Sequence, residues 1–114
     1  MRIINRTRKN TIALRVEIAN SMWRRALGLM FRKNPAPLLM IMERETKPGI
    51  WMPFMRFPID LILLDDEYNV LDIKTLRPWK DFIRFSGVRW ALELRKGLLR
   101  EGSVKVGDVL EILP

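Results

Sequence analysis

A chain of 114 residues, 48% apolar and 30% charged, has the composition of an ordinary globular domain, long enough for one core and too short for two. It holds neither cysteine nor histidine, which excludes disulfides, thiolate chemistry, zinc–sulfur centres and every mechanism built on an imidazole. The net charge of +8 comes entirely from the start of the chain: residues 1–33 hold nine basic groups and one acid, whereas residues 34–114 hold twelve of each.

Such asymmetry marks a candidate face for an anionic partner. The plainer reading is that these cations serve solubility and pair with acids from the neutral remainder. No arginine–glycine repeat, zinc-finger spacing or aromatic RNA-binding signature accompanies them. Any catalysis would rest on carboxylates, a lysine such as Lys74, Tyr68 or a hydroxyl, with no cofactor implied. The opening MRIINRTRKN lacks the apolar run of a signal peptide, and no stretch approaches the ~20 apolar residues of a membrane span. The expectation is a cytoplasmic protein without a membrane partner, a monomer or small homo-oligomer.

Ile3 and Ile4 open a short strand, a polar turn follows at 7–10, and Ile12, Leu14, Val16 and Ile18 then alternate with Ala13, Arg15 and Glu17. A period of two predicts one strand with a buried and a wet face, and a first hairpin. Beyond a cap at Asn20 or Ser21, the apolar residues Met22, Trp23, Ala26, Leu27 and Met30 recur at helical spacing until Gly28 interrupts or ends the helix. Pro35 and Pro37 enforce extended chain. Leu38–Met42 reads as a strand buried on both sides, and Ile50–Met52 as a short strand stopped by Pro53.

The run Ile59–Leu64 predicts another strand, Asp65–Asn69 a turn with Asn69 left-handed, and Val70–Leu76 the return strand. After an irregular stretch at 77–87, Val88, Trp90, Leu92 and Leu94 alternate with Arg89, Ala91, Glu93 and Arg95 as a half-buried strand. A helical turn at 97–102 and a last strand at 109–113 complete the chain. The expected architecture is α+β and mostly β: a single compact domain, residues 1–114, with a strongly bent, barrel-like sheet of about seven strands and one short helix.

Three stretches occur together in a specific order: GLMFR at 28–32, Trp51-Met52 through Phe57-Pro58-Ile59-Asp60, and Leu92-Glu93-Leu94 with Gly97. With Val106-Gly107-Asp108 near the end, they resemble the domain-of-unknown-function family 192 from about residue 20 onward. The resemblance implies a mostly β, barrel-like α+β domain and carries no activity with it. Many members of that family look exported, and many have Lys-Asn-Thr after the Trp-Met pair, where this chain has Pro53, Phe54 and Met55. Chemistry done by that polar trio would be lost here, whereas a binding loop would gain a more apolar contact.

The candidate ligand-binding residues are Trp51, Met52, Phe54, Asp60, Arg32, Trp79 and Glu93. The segment WMPFMRF at 51–57 offers aromatic and methionine surface for a ligand or partner, or else plugs the core. Asp60, among apolar neighbours, serves as a ligand anchor, ties down the preceding loop or pairs with Arg32. Trp79 stacks on a sugar or base, or covers the core. Glu93 lies opposite Trp90, Leu92 and Leu94, which reads as a solvated strand face. Asp65 and Asp66 read as a turn rather than a cation site.

The leading functional expectation is a non-enzymatic binding or interaction domain for a carbohydrate-like or amphipathic ligand or a protein. The alternatives are a nucleic-acid-binding accessory protein using the basic first third and a carboxylate-based enzyme using Asp60 or Glu93. The absence of glutamine, the excess of arginine over lysine and the charge density point to a thermophile. Thermal unfolding followed by circular dichroism should therefore give a midpoint above ~65 °C, the upper end of the usual mesophile range; a lower value removes that reading.

Overall fold

The computed structural model describes residues 1–19, 37–41, 49–50, 58–77, 83–84 and 87–114. Ten strands run through these residues: β1 Arg2–Asn5, β2 Asn10–Ala13, β3 Glu17–Ala19, β4 Leu38–Ile41, β5 Gly49–Ile50, β6 Ile59–Leu64, β7 Val70–Leu76, β8 Ile83–Arg84, β9 Trp90–Arg95 and β10 Leu110–Leu113. They form a three-stranded sheet (β10-β1-β2), a five-stranded sheet (β3-β4-β9-β6-β7) and the pair β5-β8. The fold is mostly β. Among the described residues no sheet closes on itself and there is no helix; the helix expected after Asn20 lies outside them.

The apolar runs form the middle of the larger sheet because it is buried on both faces. β9 pairs antiparallel with β4 on one side and β6 on the other, so Leu92 stands between Leu39 and Ile62. Leu39, Ile62, Leu64, Leu92 and Leu94 point toward the smaller sheet and pack with Ile3, Ile12, Val16 and Leu110. Leu38, Ile59, Leu61, Leu63 and Ala91 point the other way and are equally buried. The strand expected at 38–42 is buried on both faces at Leu38 and Leu39, while Met42 lies outside the described residues, and the half-buried reading of 88–94 is corrected. Alternation in β9 marks two cores, not a core and a wet side.

The alternating segment 12–18 is likewise not one strand. Arg15 takes a left-handed conformation (φ 53°) and separates β2 from β3. The chain thereby leaves the small sheet and joins the large one, where β3 runs parallel to β4. Ile12 and Val16 are both buried, whereas Leu14 at the bend is 61% exposed. The expected alternation is broken here: Ala13, read as part of the wet face, is buried, whereas Ile18, like Leu14, is exposed.

Two further turns differ from expectation. At 65–69 it is Tyr68, not Asn69, that is left-handed (φ 64°). Asn69 is extended enough to bridge Val109, and its amide holds Asp65 at 3.0 Å. The segment 97–102 forms two turns, closed by Leu98 N–H to Arg95 O and Ser103 N–H to Arg100 O, both 3.1 Å.

The two ends of the chain are joined by a buried polar cluster. Asp108 Oδ2 accepts from Asn5 Nδ2 (2.9 Å), Arg8 Nε (2.7 Å) and the Lys105 N–H (2.9 Å). Asn5 Oδ1 accepts the Thr7 and Arg8 N–H groups, and its amide also donates to Ser103 O at 3.0 Å. Burial alone would raise the Asp108 carboxyl, but the donors from Asn5, Lys105 and Arg8 hold it below the usual range. Its stabilisation is therefore present above the unfolded-state value of 3.8 and is lost as pH falls through the lower folded-state value. Asn5→Ala should destabilise by about 2–3 kcal/mol in urea unfolding, because it leaves Asp108 and two backbone amides short of partners. Arg6→Ala, which breaks only an exposed 3.8 Å pair with Glu111, should change stability by less than ~0.5 kcal/mol.

Candidate functional site

The register of the large sheet sets a single row of side chains on its second face: Glu17, Leu38, Glu93, Leu61, Lys74. The ends of the row are exposed and charged, as sheet edges usually are. Its centre is Glu93, with Leu38 on one side and Leu61 on the other, and Glu93 has 0% exposure. Among the described residues neither carboxyl oxygen has a hydrogen-bond partner.

A carboxylate in this position is expelled from water without compensation. Burial pushes the Glu93 carboxyl up to about 8, so the group is protonated at neutral pH. In that form it offers one O–H donor and acceptor capacity on both oxygens, all of it unused. Among the described residues the other titratable side chains on this face, Glu17, Asp72, Lys74 and Arg95, stand toward its edges and are at least partly exposed. The expectation of a solvated Glu93 is corrected: its side is right, but that side is a second interior.

Asp60 is placed differently. It pairs with Leu94 in β9 and Thr75 in β7, which puts it on the face opposite Glu93. It is half-buried and accepts the Thr75 hydroxyl proton at 2.7 Å. The two acids of the carboxylate-enzyme reading are thus separated by the sheet itself and do not share a pocket. Asp65 accepts from the Glu67 and Asn69 N–H groups and the Asn69 amide, and Asp66 lies 3.8 Å from Arg89. Burial would raise Asp65, but these donors hold it low, as in a carboxylate-stabilised turn. Among the described residues no three acids gather as a metal site.

Trp51, Met52, Phe54, Arg32 and Trp79 lie outside the described residues. The basic groups of the first third are partly spoken for: Arg8 is tied to Asp108 and Arg6 stands near Glu111. The Asn5–Asp108 cluster escaped sequence reasoning because its partners are about a hundred residues apart, although Val106-Gly107-Asp108 stood out as a motif. No described helix is long and apolar enough to cross a membrane.

Removing the titration of Glu93 tests this environment. Between about pH 4.5 and 8 the native state keeps a proton that the unfolded chain has released, so stability falls as pH rises. Glu93→Gln cannot titrate. The stability of the wild type relative to this variant should therefore drop by about 1.4 kcal/mol per pH unit across that window. Urea unfolding at pH 5, 6, 7 and 8 measures the gap; a constant gap would mean that Glu93 has a charge partner in the folded protein.

Comparison with known proteins places this geometry in a family. Residues 3–112 match the profile of DUF192, described as "Uncharacterized ACR". A UPF0127 protein of Pyrococcus furiosus is 33% identical over 111 residues, covering 96% of each chain, and one of Pyrococcus horikoshii is 35% identical with the same coverage. A solved structure of a candidate transcription regulator from Sinorhizobium meliloti superposes with a TM-score of 0.80 at 27% identity, covering 96% of this chain and 89% of that one. A protein of unknown function from Novosphingobium aromaticivorans gives 0.79 at 21% identity, covering 97% and 82%, and shares the fold. The chain belongs to the DUF192 family.

Proposed function

We propose that this protein is a small, cytoplasmic, non-enzymatic binding domain, with residues 1–114 acting as one unit and Glu93 as the polar group that meets the ligand. The observation that carries this reading is the fully buried, unpartnered carboxyl at the middle of an apolar sheet face. Such a group costs about 1–3 kcal/mol or more if nothing uses it, and native proteins keep few of them. A protonated carboxyl both donates and accepts, which suits a hydroxyl-bearing, carbohydrate-like ligand.

The aromatic–methionine segment at 51–57 supplies the apolar contacts, with Trp51, Met52 and Phe54 foremost and Arg32 and Trp79 as further candidates. Sequence adjacency supports this pairing. The segment leads directly into β6, whose Leu61 is the register neighbour of Glu93. Asp60 then serves to fix β6 against β7 through Thr75 rather than to touch ligand. The barrel-like closure and the short helix expected from the sequence belong to the same proposal, as the means of covering this face.

A second reading, a nucleic-acid-binding accessory protein, draws on the basic first third and on the likeness to the Sinorhizobium protein, a candidate transcription regulator. One experiment separates the two. Urea unfolding, followed by tryptophan fluorescence, is run alone and with sugars, nucleotides, divalent cations and short RNA and DNA oligomers. A sugar at ~100 times its dissociation constant should stabilise the fold by about 2.7 kcal/mol. The double variant Trp51→Ala/Phe54→Ala and Glu93→Gln should each lose that gain. Undiminished stabilisation in both variants would refute the proposal. A shift from oligomers alone, with log affinity falling by about 0.7–0.9 per phosphate contact for each log unit of salt, would establish the second reading instead.

A further inference from the structure

The first face of the large sheet carries a different feature. Where it meets the small sheet, a groove of about 380 Å³ opens. Ile12 of β2 and Leu94 of β9 form its floor, and both are buried members of the core, so its shape is set by packing. Pro37 lies at one side. Leu14 and Leu98 line the groove although they are 61% and 52% exposed. Leu14 is held there by the left-handed Arg15 beside it, which ends β2, and Leu98 by the turn that closes on Arg95.

Among the described residues that line the groove, Arg100 is the one charged side chain and none is an acid. Among the described residues Arg100 forms no ion pair. The hydroxyl of Ser103, also in the lining, donates to Arg100 O at 2.6 Å and so holds the backbone of Arg100 in place. Arg15 is exposed next to Leu14 and adds a second positive charge in sequence beside the lining.

A groove of this size lies within the range of small-ligand clefts, about 300–1,000 Å³, which typically join an apolar lining to few polar groups. Here the polar group is a guanidinium, whose fork matches a carboxylate in two parallel hydrogen bonds. We propose that this groove binds a small amphipathic carboxylate, with its apolar tail against Ile12, Leu94 and Leu98 and its head on Arg100. Charge complementarity selects this occupant: a cationic head would be repelled by Arg100, and a neutral one would forgo the charge-assisted pair. The site is independent of Glu93, because Glu93 and Leu94 are consecutive in β9 and face opposite sides of the sheet.

The test uses octanoate, octanol and octylammonium as probes, titrated into the ¹⁵N-labelled full chain and followed amide by amide. Octanoate should move the amides of 11–14 and 98–103 and bind at least about tenfold more tightly than the other two, as a charge-assisted contact implies. Arg100→Gln should reduce octanoate to the level of octanol, and Leu98→Ser should weaken octanoate and octanol together. Both residues are exposed, so the variants should keep the wild-type amide pattern. Equal affinity for the three probes, an unchanged preference in Arg100→Gln, or shifts confined to other amides would overturn the proposal. So would slowed, concentration-dependent diffusion of the unliganded chain accompanied by shifts at 11–14 and 98–103, which would make a second copy the occupant.

Discussion

The pairing of β6 with β9 is the constraint on which the rest depends. Six residues of each strand match in register, from Ile59 with Arg95 to Leu64 with Trp90. Because both faces of this pair are buried, a slip of one residue would drive every side chain of β9 through to the wrong interior. Leu92 and Leu94 would leave the core they share with Ile3 and Leu110, and Glu93 would enter it. The outer strands inherit this register: β7 from β6, with a bulge at Leu63–Leu64, and β4 from β9. Tyr68 and Trp90, with ring centroids 5.4 Å apart, close the end of the pair beside that bulge.

Among the described residues two acids are deeply buried, and their surroundings drive them in opposite directions. Asp108 is encircled by an amide, a guanidinium and a backbone N–H, so its charge is stabilised and it binds the two ends of the chain together. Glu93 has leucine on both flanks, so its charge is suppressed. Desolvation acts on both, and the difference lies wholly in the donors supplied. Structural acids in proteins are ordinarily of the Asp108 kind. An acid of the Glu93 kind weakens the fold it sits in at neutral pH, and such groups concentrate where a protein binds or reacts.

Much of this was legible in the sequence, and what was not has a physical cause. Period-two alternation and apolar runs located β1, β2, β4, β6, β7 and β9 because inward-facing positions must be apolar whatever the topology. The same pattern concealed the bend at Arg15, since a left-handed residue can redirect a strand without disturbing which neighbours are apolar. Glu93 was assigned to the correct side of β9 and to the wrong environment. A polar residue on an alternating strand normally signals water, and nothing local shows that a second layer covers it. The turn at 65–69 was recognised from its acids and asparagine, but Asn69 was needed to hold Asp65, and the left-handed position fell to Tyr68. Of the candidate residues, Asp60 and Glu93 are described, and the structure sets them back to back.

That opposition is itself informative. Successive residues of β9 serve different ends: Leu94 contributes to the core and the floor of the groove, and Glu93 stands in the second interior. A strand carrying only core residues on both sides would tolerate hydrophobic exchange at either position, provided volume were kept. Here the exchange is asymmetric. Leu94 could be replaced by another apolar residue of similar size, whereas an apolar residue at 93 would relieve the burden of a buried carboxyl and add to stability. Retaining glutamate at that point sacrifices stability that leucine would supply. The sheet therefore carries, at the buried centre of this row, a carboxyl that costs the fold stability.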